Sequence, residues 1–174
     1  QQLGIVLDEG QRAEVNLAAL QWMEMVGRIL MEGFVITIDY GHEAEALYSP
    51  LRRNGTLLCY YRHTWNDNPY EGVGLQDITS HVDFTSLMNK GNEMGLRRTG
   101  LTTQSRFLIN LGFLEEAQRI LGEDESSLDT IKSRLAMKTL IIPDGGMGDV
   151  FKVLIQHKGI DAPQLDGLRD LGTF

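Results

Sequence analysis

The stretch from Gly33 to Glu43, GFVITIDYGHE, constrains the fold more than any other part of the chain. It begins as a nearly continuous apolar run rich in β-branched residues, the pattern of a strand covered on both faces in a parallel sheet. It then stops on a carboxylate, a phenol, a glycine, an imidazole and a second carboxylate. Just before it, residues 14–31 set Leu17, Leu20, Met23, Val26 and Leu30 at helical spacing, and Gly33 follows as a C-terminal breaker would. Helix followed by buried strand is the signature of an α/β unit.

The rest of the chain continues the alternation. After Arg53-Asn-Gly55, residues 56–63 predict a second strand, and residues 64–76, polar, aromatic and glycine-bearing, predict a functional loop. Asp83 reads as the N-cap of a helix running to about Met94, residues 96–103 as a third strand, and 105–121 as a helix with Phe107, Leu108, Leu111, Leu114 and Ile120 inward. A further helix is predicted over 127–139, opened by Ser126-Ser-Leu-Asp129 in capping-box form, and a last strand over 150–157. Residues 159–174 look like a polar tail. Together these predict a three-layer α/β sandwich, in which ligands sit at the carboxyl ends of the strands, where GFVITIDYGHE places its polar cluster.

Bulk properties narrow the function. With 174 residues, one domain is the default, and a net charge of −8 argues against nucleic acid and anionic membrane surfaces and suits a cationic partner. No segment approaches the roughly 20 apolar residues of a membrane span. The single cysteine, Cys59, fits a reducing compartment and sits mid-strand as a core residue.

At the strand end, Asp39 and Glu43 could grip a guanidinium bidentately, while the simpler alternative has Asp39 accepting backbone N–H groups in the turn made by Gly41. His81 and Asp83 have alternate-residue spacing with Asp77 close by, but no third convincing ligand completes a metal site, so none is expected. His42, His63 and His157 are scattered. Gly145-Gly-Met-Gly148 and Gly72-Val-Gly74 lack the strand-before, helix-after context of a phosphate loop. No nucleophile elbow, Walker lysine or zincin helix is present.

The ordered series GFVITIDYGHE, GTLLCYYRH, LQDITSHVDFTSL, GLTTQSRFLINLGF and LIIPDGGMGDVFKVLIQHKG resembles the carboxyl-terminal half of the MidA family, over roughly residues 12–160. Those are S-adenosylmethionine-dependent methyltransferases whose mitochondrial members assist assembly of respiratory complex I. The resemblance implies a class I methyltransferase (Rossmann-like) sheet with an antiparallel last strand, here VFKVLIQH, and methyl transfer to a protein arginine. It places DYG after the fourth strand. On that basis Asp39, Tyr40 and Glu43 are the expected catalytic residues, Asp39 and Gly41 touch the cofactor, and His42, Asp77, His81 and Asp83 touch the substrate.

The glycine-rich cofactor loop and the first three strands of that family have no counterpart here, and the chain opens on Gln1 rather than Met. The expectation is therefore an incomplete sandwich: residues 1–160 as the carboxyl-terminal part of a methyltransferase domain, then a tail over 161–174. Alone, such a chain should bind S-adenosylmethionine weakly or not at all, and its exposed strand edge should pair with another chain. The alternative is a non-catalytic interaction module derived from the same fold. The compartment would be the cytoplasm in a bacterium or the mitochondrial matrix in a eukaryote.

Overall fold

The computed structural model describes residues 4–121, 127–143 and 145–170. In chain order the elements are α1 (Leu17–Ile29), β1 (Gly33–His42), α2 (Ala44–Leu47), β2 (Leu58–Tyr61), β3 (Thr64–Asn66), β4 (Asp77–Thr79) and β5 (Val82–Asp83). There follow α3 (Phe84–Glu93), β6 (Arg97–Thr103), α4 (Gln104–Asn110), α5 (Phe113–Leu121), α6 (Leu128–Ile141) and β7 (Phe151–Lys158), a mixed α/β fold. They form two compact units, one comprising the chain up to Arg28 with Gly41–Met94, the other Ile29–Tyr40 with the described chain from Gly95 onward.

In the first unit α1 starts later than its apolar periodicity predicts, because the Asn16 side-chain oxygen accepts the Ala19 N–H at 2.9 Å and caps the helix there. Met23 is fully buried, whereas Leu17 is exposed. Phe84, Leu87, Ala44, Leu47 and Cys59 complete the buried set of this unit, so Cys59 is the core residue that was expected. The last two residues of β1, Gly41 and His42, pair in parallel with Val82 and Asp83 of β5.

The second strand is shorter than predicted and belongs to a separate sheet. β2 pairs antiparallel with β3 on one side and β4 on the other, so the predicted loop 64–76 opens with a short strand and is a loop from 67 to 76. The hairpin turn is made by Arg62 and His63, both at positive φ (46° and 65°), as a type I′ connection requires. Neither residue is a turn signal, which is why the hairpin was not visible in the sequence.

In the second unit β7 is the central strand. β1 runs antiparallel to it from Gly33↔Lys158 to Tyr40↔Phe151, and β6 runs antiparallel along its other edge with a bulge between Arg98 and Gly100. Val153, Leu154 and Ile155 of β7 are buried, as is Leu96 of the same unit. The ladder, traced through β1, reads β5-β1-β7-β6.

Three expectations are corrected. β1 is not a strand covered on both faces in a parallel sheet: along residues 33–40 its partner is antiparallel, and Phe34, Ile36 and Ile38 on one face are exposed. The predicted helix over 105–121 is two helices, because Gly112 at φ 80° ends the first, and Leu111, Leu114 and Ile120 are exposed rather than inward. The cap of α6 is Ser127, whose side chain makes no capping bond, and the predicted capping box rests on Ser126, which lies outside the described residues. Finally, the supposed tail is ordered over 166–168: Asn110 Nδ2 donates to the carbonyls of Gly167 (3.2 Å) and Arg169 (2.8 Å), and the Leu168 side chain lies against Gly100.

Candidate functional site

The polar end of β1 is where the fold concentrates chemistry. Within the first unit, Gly41 is required by close backbone approach, since a Cβ there would lie 2.2 Å from the Val82 carbonyl oxygen. That contact lets β5 sit against the strand end and brings His81 and Asp83 to it. The rings of His42 and His81 lie 5.2 Å apart at an interplanar angle of 41°. Arg52 Nη2 donates to His42 Nε2 at 3.0 Å. A guanidinium only donates, so Nε2 is the acceptor in this contact.

Asp83 has a full set of structural partners. Its Oδ1 accepts the Ser86 N–H at 3.1 Å, the capping bond predicted for it, and its Oδ2 accepts from Ser86 Oγ (2.5 Å) and from the Tyr48 hydroxyl (3.2 Å). Burial, then the Asp83 carboxylate, its hydrogen bond and Glu14 push the Tyr48 hydroxyl up to about 12. Glu14 in turn accepts from the Thr56 N–H (2.8 Å) and hydroxyl (2.9 Å) through Oε2. Glu14, Tyr48, His81, Asp83 and Ser86 line a cavity of ≈ 40 Å³. Sequence reasoning missed Glu14, Tyr48 and Arg52 because they reach this place by tertiary packing, with no local motif to mark them.

Asp77 is exposed on β4, opposite Tyr60. In the second unit, Asp39 is half-buried and its Oδ1 accepts the adjacent Tyr40 N–H at 2.8 Å, the backbone role foreseen as its simpler alternative. Tyr40 packs edge-on against Phe151 with ring centroids 5.6 Å apart. Strand alternation sends Asp39 and Tyr40 to opposite faces. Among the described residues no group of three or more His, Cys, Asp or Glu could hold a metal ion. No helix among them is long and apolar enough to cross a membrane.

Comparison with known proteins extends these observations. The chain is similar to an uncharacterized superfamily protein from Burkholderia thailandensis, 34% identical with a TM-score of 0.86, over 95% of this chain and 43% of that one. It is equally similar, at 34% identity and TM-score 0.86, to a superfamily member from the same organism described as a "likely methyl transferase" and bound to S-adenosyl-homocysteine, covering 95% of this chain and 42% of that one. The chain thus spans less than half the length of these solved relatives. Among curated proteins nothing matches. The family described as "Putative S-adenosyl-L-methionine-dependent methyltransferase" matches residues 1–102 of the 174, and the chain belongs to that family.

Proposed function

We propose that this chain is the acceptor-side, carboxyl-terminal part of a MidA-type methyltransferase that transfers the methyl group of S-adenosylmethionine to a protein arginine, with complex I assembly as the setting implied by the MidA resemblance. The observation that carries this reading is the likeness, over 95% of the chain, to a relative bound to S-adenosyl-homocysteine. β7, antiparallel to both of its neighbours, supports a class I sheet, whose first three strands would come from outside these residues.

The lining of the strand-end cavity does not by itself fit the cofactor. The cavity at the strand end, ≈ 40 Å³, is far below the roughly 300 Å³ at which ligand pockets begin. The glycine run after α6 offers no phosphate-type cradle either: the Met147 and Gly148 N–H groups donate to the Thr139 and Ile142 carbonyls at 2.8 and 2.9 Å, closing the end of that helix.

What this chain supplies is therefore the grip on the acceptor. An arginine stays protonated throughout the physiological range, so its nitrogen needs both charge neutralisation and a route for a proton to leave. Asp39, with one carboxylate oxygen held by the Tyr40 N–H, keeps its other oxygen for the guanidinium. Within the first unit, His42, His81 and Asp83, gathered where the Gly41 backbone packs on Val82, are the residues proposed to contact the substrate.

One observation favours a second reading, a non-catalytic interaction module: Ile36 and Ile38 are half exposed (54% and 51%) on one face of β1. Calorimetric titration of S-adenosylmethionine into this chain, and into a form extended to the first methionine of its reading frame, separates the two. Uptake by the extended form alone, with methyl transfer to an arginine peptide abolished or reduced at least about a hundredfold by Asp39→Asn, is the expected result. Uptake by neither form would leave the interaction module.

A further inference from the structure

The three-stranded sheet of the first unit carries a feature that the strand-end site does not use. Cys59 on β2 is fully buried, so the inner face of this sheet points into the core and the next residue, Tyr60, points outward. Tyr60 lies directly opposite Trp65 of β3 and directly opposite Asp77 of β4. Partners so paired share a face, so an indole, a phenol and a carboxylate form one cross-strand row about 10 Å long. The outer face of a small antiparallel sheet ordinarily carries polar side chains, yet Trp65 is 69% exposed and Tyr60 44%. Among the described residues no cation pairs with Asp77.

We infer that the Trp65–Tyr60–Asp77 row is a docking site for an arginine-bearing segment of the acceptor protein. Two electron-rich ring faces attract a cation and prefer a planar guanidinium, while a carboxylate at the end of the row supplies the charge-assisted hydrogen bonds. The hairpin already holds one such pair within the chain, the Arg62 guanidinium 5.1 Å from the centre of the Tyr61 ring. The net charge of −8 favours a basic partner on the same grounds. The identity of that partner as the acceptor rests on the proposed arginine methylation; the cation-binding chemistry of the row does not.

The test is fluorescence anisotropy of a labelled glycine-serine peptide carrying two arginines, titrated with this chain in the absence of any cofactor, beside the same peptide with both arginines replaced by glutamine. The expected result is binding of the arginine peptide that weakens with salt. Trp65→Ala and Asp77→Asn should each raise Kd about three- to tenfold, Trp65→Phe should raise it less than Trp65→Ala, and Trp22→Phe should stay near the parent value. Far-UV circular dichroism on each variant separates lost folding from lost binding, and Trp65→Phe keeps the ring where Trp65→Ala removes it. Equal binding of the glutamine peptide, or a Kd unmoved by both Trp65→Ala and Asp77→Asn, would overturn the inference. So would light scattering in which Trp65→Ala merely dissociates a dimer without changing peptide affinity. Because no methyl transfer is read, an intact arginine-peptide affinity with no catalysis in the extended form counts against the proposed function and leaves this site standing.

Discussion

At the scale of single residues, Tyr48 shows how a side chain without a motif becomes a constituent of the site. Its hydroxyl donates to Asp83, and burial beside that carboxylate raises its folded-state value to about 12 from the ordinary 10.0. The folded chain therefore holds this proton more tightly than the unfolded one. Stability is fully present below about pH 10 and falls between about pH 10 and 12, where the unfolded tyrosine has lost its proton and the folded one has not. Urea midpoints measured from pH 8 to 11.5 should decline in the parent and decline less in Tyr48→Phe. At neutral pH the same variant should lose about 1 kcal/mol with its hydrogen bond. Residue identity foretold the capping by Asp83, because a carboxylate ahead of an apolar helix satisfies donors a few residues away. It did not foretell that the same carboxylate accepts from Tyr48, 35 positions distant, since only packing brings them together.

At the scale of elements, the β2–β3 hairpin turns through Arg62 and His63, two residues held at positive φ without being glycine or asparagine. Such conformations cost of order 1 kcal/mol each for ordinary side chains, so the turn is a strained seat for the aromatic row beside it. Combining Arg62→Asn with His63→Gly, which installs the asparagine-glycine pair that type I′ turns favour, should raise the unfolding free energy by roughly 1 kcal/mol, seen as a higher melting temperature. If the row is instead positioned by that strain, the stabilised variant would bind the arginine peptide less well. Element boundaries set by local chemistry were legible: α3 begins at the predicted cap, β6 begins at Arg97 within the predicted 96–103, and β7 lies one residue from its predicted span. Those set by backbone geometry were not, as the break at Gly112 shows.

At the scale of the whole molecule, one face of β1 leaves apolar side chains uncovered. Phe34, Ile36 and Ile38 lie on the face opposite Asp39 and are 38%, 54% and 51% exposed, and Ile29 and Met31 in the same unit are 72% and 79% exposed. Contiguous apolar exposure of this kind drives association in water, at about 25 cal/mol for each Å² removed. The chain alone is therefore expected to self-associate in size-exclusion chromatography with light scattering. Ile36→Lys with Ile38→Lys should shift it toward monomer with little loss of stability. A parent chain that stays monomeric at high concentration would remove the case for any partner on this face.

What the sequence determined by itself were properties that act over a few residues: helix caps, the apolar strand with its polar stop, the buried Cys59, and a family pattern carried by short ordered motifs. Only the tertiary structure decided which face of β1 is covered, that β2 leaves the main ladder for a sheet of its own, and that Tyr48, Glu14 and Arg52 meet Asp83 and His42. The physical reason is that periodicity states which residues can be buried, while burial itself depends on what another part of the chain places against them. The apolar pattern of β1 specifies a two-sided strand, and in this molecule one side stays exposed to water.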